Sequence, residues 1–209
     1  MFANEGGAAQ AAPELTVDFA GRLPPALLDE YFELRNWWYG RRHGIDGEAA
    51  PRDAFDDESL HVLATDGRRC LGGARITIRE AGAGRPLPME ALCDGLSVAG
   101  MFPDLPLDRA AHAEFSKLVV ARREGALPFH NTVADRIFRF LWGPDNPRPD
   151  VRYALSFAPR AQSRIYRALA DAHGLSVHAR PVPPELVPPS IARREFAVQV
   201  YVLDPGGRS

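Results

Sequence analysis

The chain of 209 residues has the length of one ordinary domain, and its 45% hydrophobic and 25% charged residues are typical of a globular protein. These proportions exclude a chain that is disordered throughout. The formal net charge of −2 gives no overall attraction to nucleic acid or to an anionic membrane, so partners must be sought at local sites.

The two ends of the chain are predicted to be tails around a single domain. Residues 1–13 are rich in Gly and Ala and lack the basic start and apolar run of a signal peptide. We therefore expect tails at 1–13 and 205–209 and one domain over 14–204. No apolar run approaches the roughly 20 residues of a membrane span, so none is expected.

The cysteines and histidines favour a cytoplasmic protein without a metal centre. Cys70 and Cys93 lie in unrelated contexts, which argues against a disulfide framework or a zinc site. The six histidines do not cluster at metal-ligand spacing. We expect no bound metal and a reducing environment.

The first predicted elements are a helix and a hairpin. Pro24-Pro25 opens a predicted helix whose apolar residues recur at helical spacing from Leu27 to Trp38, and Gly40 and Gly44 close it. Alternating apolar residues at 60–64 and 73–78, on either side of Asp66-Gly67, predict two antiparallel strands.

The rest of the chain predicts a long loop followed by alternating strands and helices. Residues 80–108 are rich in Gly and Pro, with one helical turn at Pro88 to Leu92. Residues 114–122 predict a strand buried on both faces. The later elements are a helix around 133–141, a strand at 153–157, a helix ending at Gly174, and strands near 176–180 and 195–203. This order predicts an α+β domain, an α/β/α sandwich whose mixed, mostly antiparallel sheet is flanked by helices.

Three short stretches carry charged and aromatic residues at specific positions. Arg35 and Tyr39 lie one helical turn apart. Asp53-Ala54-Phe55-Asp56 precedes the first long strand, and Arg75 lies within the next strand. Glu114-Phe115-Ser116-Lys117 lies in the predicted buried strand, and Lys117 is the only lysine of the chain.

In their order and spacing, these stretches resemble the acyl-homoserine-lactone synthases, which are acyltransferases of the GNAT type. The chain departs from the family at Lys117, where the family has arginine. The run Leu87-Pro88-Met89-Glu90 is closer to the related N-acyl amino acid synthases. From Leu127 onward the resemblance is only architectural.

The resemblance implies an enzyme that transfers a fatty acyl group to the amine of S-adenosylmethionine and releases an N-acyl-homoserine lactone, a quorum-sensing autoinducer. The donor would be an acyl carrier protein or coenzyme A thioester, and no cofactor would be bound permanently. Two alternatives remain open. One is acylation of an ordinary amino acid, and the other is a non-catalytic GNAT-fold protein that binds a ligand or a carrier.

A thioester is already activated, so the enzyme must deprotonate an ammonium group, hold the amine against the carbonyl and stabilise an oxyanion. Glu114 is the candidate general base, because a buried carboxylate can have a raised pKa. Alternatively it pairs with Arg75 or Arg35. Ser116 would share its face of the strand and is the second candidate catalytic residue, whereas Lys117 is predicted to point to the opposite face.

The remaining candidates would bind the substrates. Asp53 and Asp56 would hold the ammonium or sulfonium of the acceptor, or only cap a turn. Arg35 and Arg75 would hold its carboxylate or lock the aspartates in a buried network. The resemblance adds Tyr39, Phe55 and Lys117 to the substrate-binding residues.

A weaker pattern follows the buried strand. Arg122, Arg123 and Gly125 partly match a loop that cradles the pyrophosphate of coenzyme A, although an ordinary turn fits them as well. Arg136 and Arg139 would extend a basic patch for an acidic carrier protein, or form an ordinary charged helix face. Tyr166 is a candidate acid for the leaving thiolate.

Overall fold

The computed structural model describes residues 16–39, 52–121, 135–136, 138–139, 148 and 150–202, and the structural statements below concern these residues. The helices and strands are β1 Thr16–Phe19, α1 Pro25–Trp37, β2 Leu60–Thr65, β3 Cys70–Arg79, α2 Pro88–Leu92, α3 Val98–Met101, β4 His112–Val120, β5 Tyr153–Pro159, α4 Arg160–Ala172, β6 Ser176–Pro181 and β7 Phe196–Val202. Short 3-10 helices lie at Ala20–Arg22 and Pro184–Leu186, and residues 135–136 and 138–139 are also helical. The predicted tails lie outside the described residues.

The described strands form one seven-stranded sheet in the order β1-β2-β3-β4-β5-β7-β6. Neighbouring strands are antiparallel except β4 and β5, which are parallel. The predicted α+β fold, with a mixed and mostly antiparallel sheet between helices, is confirmed. None of the helices in the described ranges is long and apolar enough to cross a membrane.

Helices cover both faces of the sheet. Val62 and Leu63 are neighbours in β2 and therefore point to opposite faces. Val62 belongs to an apolar layer with Phe115, Phe138 and Tyr166, which lies under α4. Leu63 belongs to the layer under α1, and the segment that holds α2 and α3 covers β5 and β7 on that same face. Both faces of β2 and β3 are therefore buried.

The sheet opens between its two parallel strands. The pairing of β4 with β5 covers His112 to Glu114 on one strand and Tyr153 to Leu155 on the other, and ends there. From Phe115 onward, no strand of the described residues pairs with the edge of β4 that faces β5. Main-chain groups in this opening must find other acceptors and donors, because buried unpaired groups are costly.

A bulge in β4 lies beside this opening. The register between β3 and β4 passes from Arg75↔Ser116 to Gly73↔Val119, so β4 carries one extra residue. Lys117 lies in the bulge with a φ of 55°, in the left-handed region that residues other than glycine seldom adopt. The bulge is therefore a local departure from a regular strand in the middle of the molecule.

Two aromatic residues of the first helical segment hold this part of β4. The Tyr31 hydroxyl donates to the main-chain carbonyl of Lys117 at 3.0 Å. The indole Nε1 of Trp38 donates to the carbonyl of Val120 at 2.6 Å. Both bonds satisfy carbonyls of β4 in the part of the strand that no longer pairs with β5. The first helical segment thus supplies donors that a neighbouring strand would otherwise provide.

Gly73 lets α1 approach the sheet closely. A Cβ atom at this position would lie 2.8 Å from the carbonyl oxygen of Val62 and 2.9 Å from Cδ2 of Tyr31. Neither neighbour can retreat cheaply, since one is main chain and the other is a fully buried ring. Glycine at this position thereby fixes how deeply Tyr31 sits against β3.

Candidate active site

The candidate site lies on the face of the sheet that α1 covers. Helix α1 contributes Arg35, the connection after it contributes Asp53 to Asp56, and β3 contributes Arg75. Strand β4 contributes Glu114, Ser116 and Lys117. Hydrogen bonds of Arg35 and Arg75 join these elements in one charged cluster that contains Asp53, Asp56 and Ser116.

Asp56 is the centre of the cluster. Its Oδ1 accepts hydrogen bonds from Arg35 Nη1 at 2.7 Å and Arg75 Nη1 at 3.3 Å, and lies 3.1 Å from His61 Nε2. Its Oδ2 accepts from the main-chain N–H of Asp53 at 2.8 Å. Burial alone would raise the pKa of Asp56, but the hydrogen bonds from His61 and Arg35 outweigh it and hold the pKa well below its usual range. Asp56 is therefore a permanent anion that organises the cations around it.

Asp53 differs from Asp56 in its exposure. Its side chain is 40% exposed, against 1% for that of Asp56. Its Oδ1 accepts from Arg75 Nη1 at 2.5 Å and from the main-chain N–H of Phe55 at 3.0 Å. The Phe55 ring lies beneath the Arg75 guanidinium, with 5.7 Å from Cζ to the ring centroid. Of the two aspartates, Asp53 is the one whose carboxylate an incoming cation can reach.

Glu114 is buried next to this cluster. It is 2% exposed, and its Oε2 accepts a hydrogen bond from the main-chain N–H of Met89 at 2.8 Å. Burial raises the pKa of Glu114 to about 7, although the Met89 hydrogen bond and the charge of Arg75 act in the opposite direction. A carboxylate with such a pKa can take up a proton and release it near neutral pH, as a general base requires.

Ser116 is fixed by Arg75, whose Nε donates to the Ser116 Oγ at 3.3 Å. Ser116 therefore shares a face with Arg75, as does Glu114, because residues two apart on a strand point the same way. The two candidate catalytic residues are thus on the cluster side of the sheet, as the strand pattern predicted.

Lys117 does not follow the predicted alternation. The prediction that it points away from Ser116 assumed an unbroken strand, and the bulge at Lys117 removes that basis. Its Nζ lies 4.8 Å from the centroid of the Tyr39 ring, beside α1. Burial lowers the pKa of Lys117 to about 8, and the positive charges of Arg35 and Arg75 lower it further than Asp53 and Asp56 raise it. Lys117 is therefore part of the cluster rather than of the opposite face.

Several residues of the site were not identified from the sequence. His61 reaches Asp56 from β2, Met89 contributes a main-chain N–H, and Tyr31 holds the bulge. No local pattern marks them, because each acts through a contact formed only in the folded chain. The run at 87–90, however, did single out the segment of Met89.

Those of the weaker candidates that lie within the described residues are not part of the cluster. Arg122, Arg123 and Gly125 lie outside the described residues. Tyr166 packs against Phe115 on the opposite face from Glu114, with 5.4 Å between ring centroids. Arg139 is exposed and forms an ion pair with Asp135 at 3.3 Å, so part of the suggested basic patch is neutralised. Within the described residues, no group of three His, Cys, Asp or Glu side chains could hold a metal ion.

Comparison of sequences finds no matching protein-family model and no matching curated protein. Comparison of folds finds clear neighbours among solved structures. The acyl-homoserine-lactone synthase LasI gives a TM-score of 0.61 at 16% identity, with 91% of each chain covered. The N-acyl amino acid synthase FeeM from uncultured soil microbes gives 0.60 at 13% identity, covering 91% of this chain and 92% of that one.

A third neighbour is the coenzyme A-dependent acyl-homoserine-lactone synthase BjaI, in a structure with S-adenosylmethionine and isopentyl-CoA. It gives a TM-score of 0.55 at 16% identity and covers 92% of this chain and 84% of that one. The resemblance to these synthases that the motifs indicated is thus confirmed in the fold. At these identities the likeness shows a shared fold, so activity has to be inferred from the site.

Proposed function

We propose that the protein is an N-acyltransferase that moves a fatty acyl group from a thioester to an amine. The observation that carries the proposal is the position of Glu114, buried at the end of the β4–β5 pairing with a pKa of about 7. Solved structures with a fold similar to that of the whole chain include synthases of acyl-homoserine lactones and N-acyl amino acids. Fold and site thus support the same chemistry independently.

In the proposed reaction the amine nitrogen attacks the thioester carbonyl carbon. Glu114 accepts the proton that the nitrogen loses, directly or through one water. The tetrahedral intermediate then breaks the carbon–sulfur bond, and the thiolate takes a proton from the solvent or from Glu114. Ser116 lies two residues after Glu114 on the same face of β4. Its hydroxyl, held by Arg75, can orient the amine or the carbonyl.

The opening between β4 and β5 supports a place for the donor. Among the described residues, no strand pairs with the β5-facing edge of β4 after Glu114. Apart from the carbonyls of Lys117 and Val120, which accept from Tyr31 and Trp38, main-chain groups on this edge can bond to an extended thioester arm that carries amide groups. Such main-chain donors are also suited to an oxyanion, since they are already oriented before the reaction. The donor would thus approach the acceptor cluster from the side of β5.

The acceptor is proposed to be S-adenosylmethionine. Asp53 would face its ammonium or sulfonium group, with Phe55 and Tyr39 beside it, and Arg35, Arg75 and Lys117 would balance the aspartates and the acceptor's carboxylate. After acylation, attack of the carboxylate on Cγ would break the carbon–sulfur bond, close the lactone and release methylthioadenosine.

A second acceptor class is an ordinary amino acid. It is favoured by the run Leu87-Pro88-Met89-Glu90, whose Met89 N–H bonds to Glu114, and by the similarity of fold to FeeM. In that case acyl transfer ends with the N-acyl amino acid, and no lactone forms.

The donor is proposed to be a coenzyme A or acyl carrier protein thioester. BjaI and MesI, two neighbours in fold, are described as coenzyme A-dependent. Arg122, Arg123 and Gly125 remain candidates for the donor's phosphates, and a cytoplasmic location would give access to both donors. No cofactor is needed for the proposed step, because the thioester supplies the activated acyl group.

Mass spectrometry of organic extracts from cells that express the chain tests this proposal. Acyl-homoserine lactones would support S-adenosylmethionine as acceptor, and N-acyl amino acids would support the second class. Cells that express Glu114→Gln at equal protein level are the matched control and should yield much less of either. If wild-type and control extracts are the same as those of cells without the chain, acyl transfer is rejected in favour of a non-catalytic ligand-binding protein.

A further inference from the structure

The helix that contacts the candidate base is too short to hold its own position. Helix α2 has five residues, Pro88–Leu92, and a helix of this length is not stable on its own in water. The first N–H groups of a helix have no acceptor within it. Met89 supplies one of these groups, and it donates to Oε2 of Glu114 at 2.8 Å. The direction of this hydrogen bond therefore depends on what holds the turn in place.

Glu90, the residue after Met89, joins this turn to two other elements. Its Oε2 accepts from the main-chain N–H of Leu87 at 3.0 Å and from Arg79 Nη2 at 2.5 Å. Its Oε1 accepts from the main-chain N–H of Val98 at 2.9 Å. Arg79 is the last residue of β3, and Val98 is the first residue of α3. One carboxylate thus ties the start of α2 to β3 and to α3.

Glu90 is ionised at neutral pH. Its side chain is only 11% exposed, and burial alone would raise its pKa. The hydrogen bonds from Leu87, Val98 and Arg79 outweigh burial and hold the pKa of Glu90 below its ordinary value. The nearest titratable ring is that of His112, and burial lowers the pKa of His112, so the ring is neutral at pH 7. The ion pair between Glu90 and Arg79 is therefore intact in the pH range in which Glu114 titrates.

Apolar packing also holds this segment against the sheet, but it does not orient the Met89 N–H group. Leu87 and Met89 are buried in the apolar layer that lies over β5 and β7. Hydrophobic contact has no preferred direction, whereas a hydrogen bond weakens steeply when its donor turns away from the acceptor. A small rotation of the turn would keep the apolar contacts and lose the bond to Glu114. The three hydrogen bonds of Glu90 oppose such a rotation.

We propose that Glu90 is a positioning residue for the candidate base, because it fixes the turn whose Met89 N–H holds Oε2 of Glu114 and so leaves Oε1 for the proton of the amine. The inference rests on the proposed acyl transfer and deepens it, since it identifies what orients the base. Glu90 acts through Met89 and not on the reacting atoms. It thereby gives a role to the run Leu87-Pro88-Met89-Glu90, which the sequence singled out.

Two effects of Glu90 on Glu114 have opposite directions. Burial is the largest influence on the pKa of Glu114, and the Met89 hydrogen bond, which lowers this pKa, is the next. The negative charge of Glu90 raises the pKa of Glu114, but by less than the Met89 hydrogen bond lowers it. Loss of positioning therefore raises the pKa of Glu114, whereas loss of the charge alone lowers it. The other charged or titratable groups that act on this carboxyl are Arg75, Lys117 and the Cys93 thiol, which is neutral with a pKa of about 11.

The test uses two variants of Glu90 and one control. Glu90→Gln has a single acceptor oxygen, so one main-chain N–H faces an NH2 group and the ion pair with Arg79 is lost. Glu90→Asp keeps the charge but is too short to reach Leu87, Val98 and Arg79 together. Arg85→Gln is the matched control, because it breaks an exposed ion pair with Glu58, at 2.6 Å, that ties the same connection to another part of the chain.

NMR spectroscopy of the full chain measures the positioning directly. Protein labelled with ¹³C-glutamate reports the titration of the Glu114 carboxyl, whose signal is assigned by its absence from Glu114→Gln, and hydrogen exchange reports the protection of the Met89 amide. In both Glu90 variants the Met89 amide should exchange about tenfold or more faster, and the Glu114 titration should move above about 7. Arg85→Gln should match the wild type. Unchanged exchange at Met89, or a Glu114 titration that moves down in Glu90→Gln, would overturn the proposal. If Glu90→Gln does not fold, Glu90→Asp gives the same two readings.

Steady-state consumption of an acyl-CoA or acyl carrier protein thioester, with S-adenosylmethionine or L-methionine as acceptor, separates this inference from the proposed function. At pH 8.5 both Glu90 variants should lower kcat by about tenfold or more and leave KM within about twofold, because the base is misplaced while the binding residues are unchanged. If the NMR changes appear but the wild type consumes no thioester, acyl transfer fails and the positioning of Glu114 by Glu90 stands. If the wild type is active and the Glu90 variants keep its kcat, acyl transfer stands and the positioning role is wrong.

Discussion

The main-chain N–H of Met89 donates to Oε2 of Glu114 at 2.8 Å, so the loop segment of α2 is bonded to the candidate base on β4. Oε2 is thereby engaged, and the other carboxylate oxygen of Glu114 is the one that can act on a proton. The same segment is anchored by Glu90, which accepts from the N–H groups of Leu87 and Val98 and from Arg79. The position of the base therefore depends on how this loop is tied to β3.

Replacement of Glu114 by glutamine should reduce kcat/KM by about 10²-fold or more, because the amide keeps the shape but cannot accept the proton. In the wild type, kcat/KM should rise with pH through about 7, where the carboxylate ionises. Steady-state kinetics of thioester consumption between pH 5.5 and 8.5 measure both effects. A wild-type profile that is flat over this range, or full activity in Glu114→Gln, would assign Glu114 to structure.

Glu114 should also make the free energy of unfolding fall as the pH rises, whereas kcat/KM rises. The pKa of Glu114 is raised from 4.5 to about 7 in the folded protein, so the protonated form is favoured by folding. The contribution of Glu114 to the free energy of unfolding is complete below pH 4.5 and is lost as the pH rises through about 7, at a cost of about 3 kcal/mol. Denaturant unfolding of wild type and Glu114→Gln at pH 5 and pH 8 should show that the difference between them changes with pH. A constant difference would contradict the raised pKa.

The two aspartates should separate stability from ligand binding. Asp56→Asn removes the anion that Arg35 and Arg75 share, and should cost about 3 kcal/mol or more of unfolding free energy, because it leaves the buried Arg35 guanidinium without a counterion among the described residues. Asp53→Asn, at a partly exposed position, should cost much less but reduce the rise in melting temperature with S-adenosylmethionine. Thermal unfolding with and without the ligand measures both. The assignment is reversed if Asp53→Asn unfolds the protein while Asp56→Asn only weakens the ligand response.

Gly73→Ala should destabilise the protein by about 1–3 kcal/mol, since the added methyl group meets the Val62 carbonyl and the Tyr31 ring within 3 Å. Gly84→Ala is the matched control, because a Cβ atom there meets nothing within 4 Å. It should change stability by about 0.5 kcal/mol at most. Chemical denaturation of both variants measures the difference. Equal stability would mean that α1 can move away from β3 without loss.

The sequence predicted most elements but not how they are joined. Strand β1 was missed, because Thr16–Phe19 is a four-residue edge strand that is too short for a periodic pattern. Strand β2 alternates in sequence yet is buried on both faces, since helices cover both sides of the sheet. The bulge at Lys117 has no signal, because its glycine-like backbone conformation is occupied by lysine.

For the candidate site, the sequence likewise predicted residues but not the contacts between them. Arg35, Asp53, Asp56, Arg75 and Glu114 were predicted from motifs and are indeed brought together. The motifs could not predict the hydrogen bonds: both carboxylate oxygens of Asp56 are paired, whereas Nε and Nη2 of Arg35 have no hydrogen-bond partner among the described residues. Which donor pairs with which acceptor depends on differences of a few tenths of an ångström between atoms of three elements, and no spacing in the sequence predicts such differences.

Lys117 stands where the acyl-homoserine-lactone synthases, which the motifs resemble, have arginine. Both side chains are cationic, but arginine bonds bidentately while lysine acts as a compact point charge. If the charge is what the cluster requires, Lys117→Arg should keep kcat/KM within about tenfold, and Lys117→Ala should lose considerably more. If the compact ammonium has been selected for another donor or acceptor, both variants should be equally impaired. Turnover and donor preference of Lys117→Ala equal to those of the wild type would instead show that this ammonium, despite its place beside Tyr39 and Arg35, takes no part in the reaction.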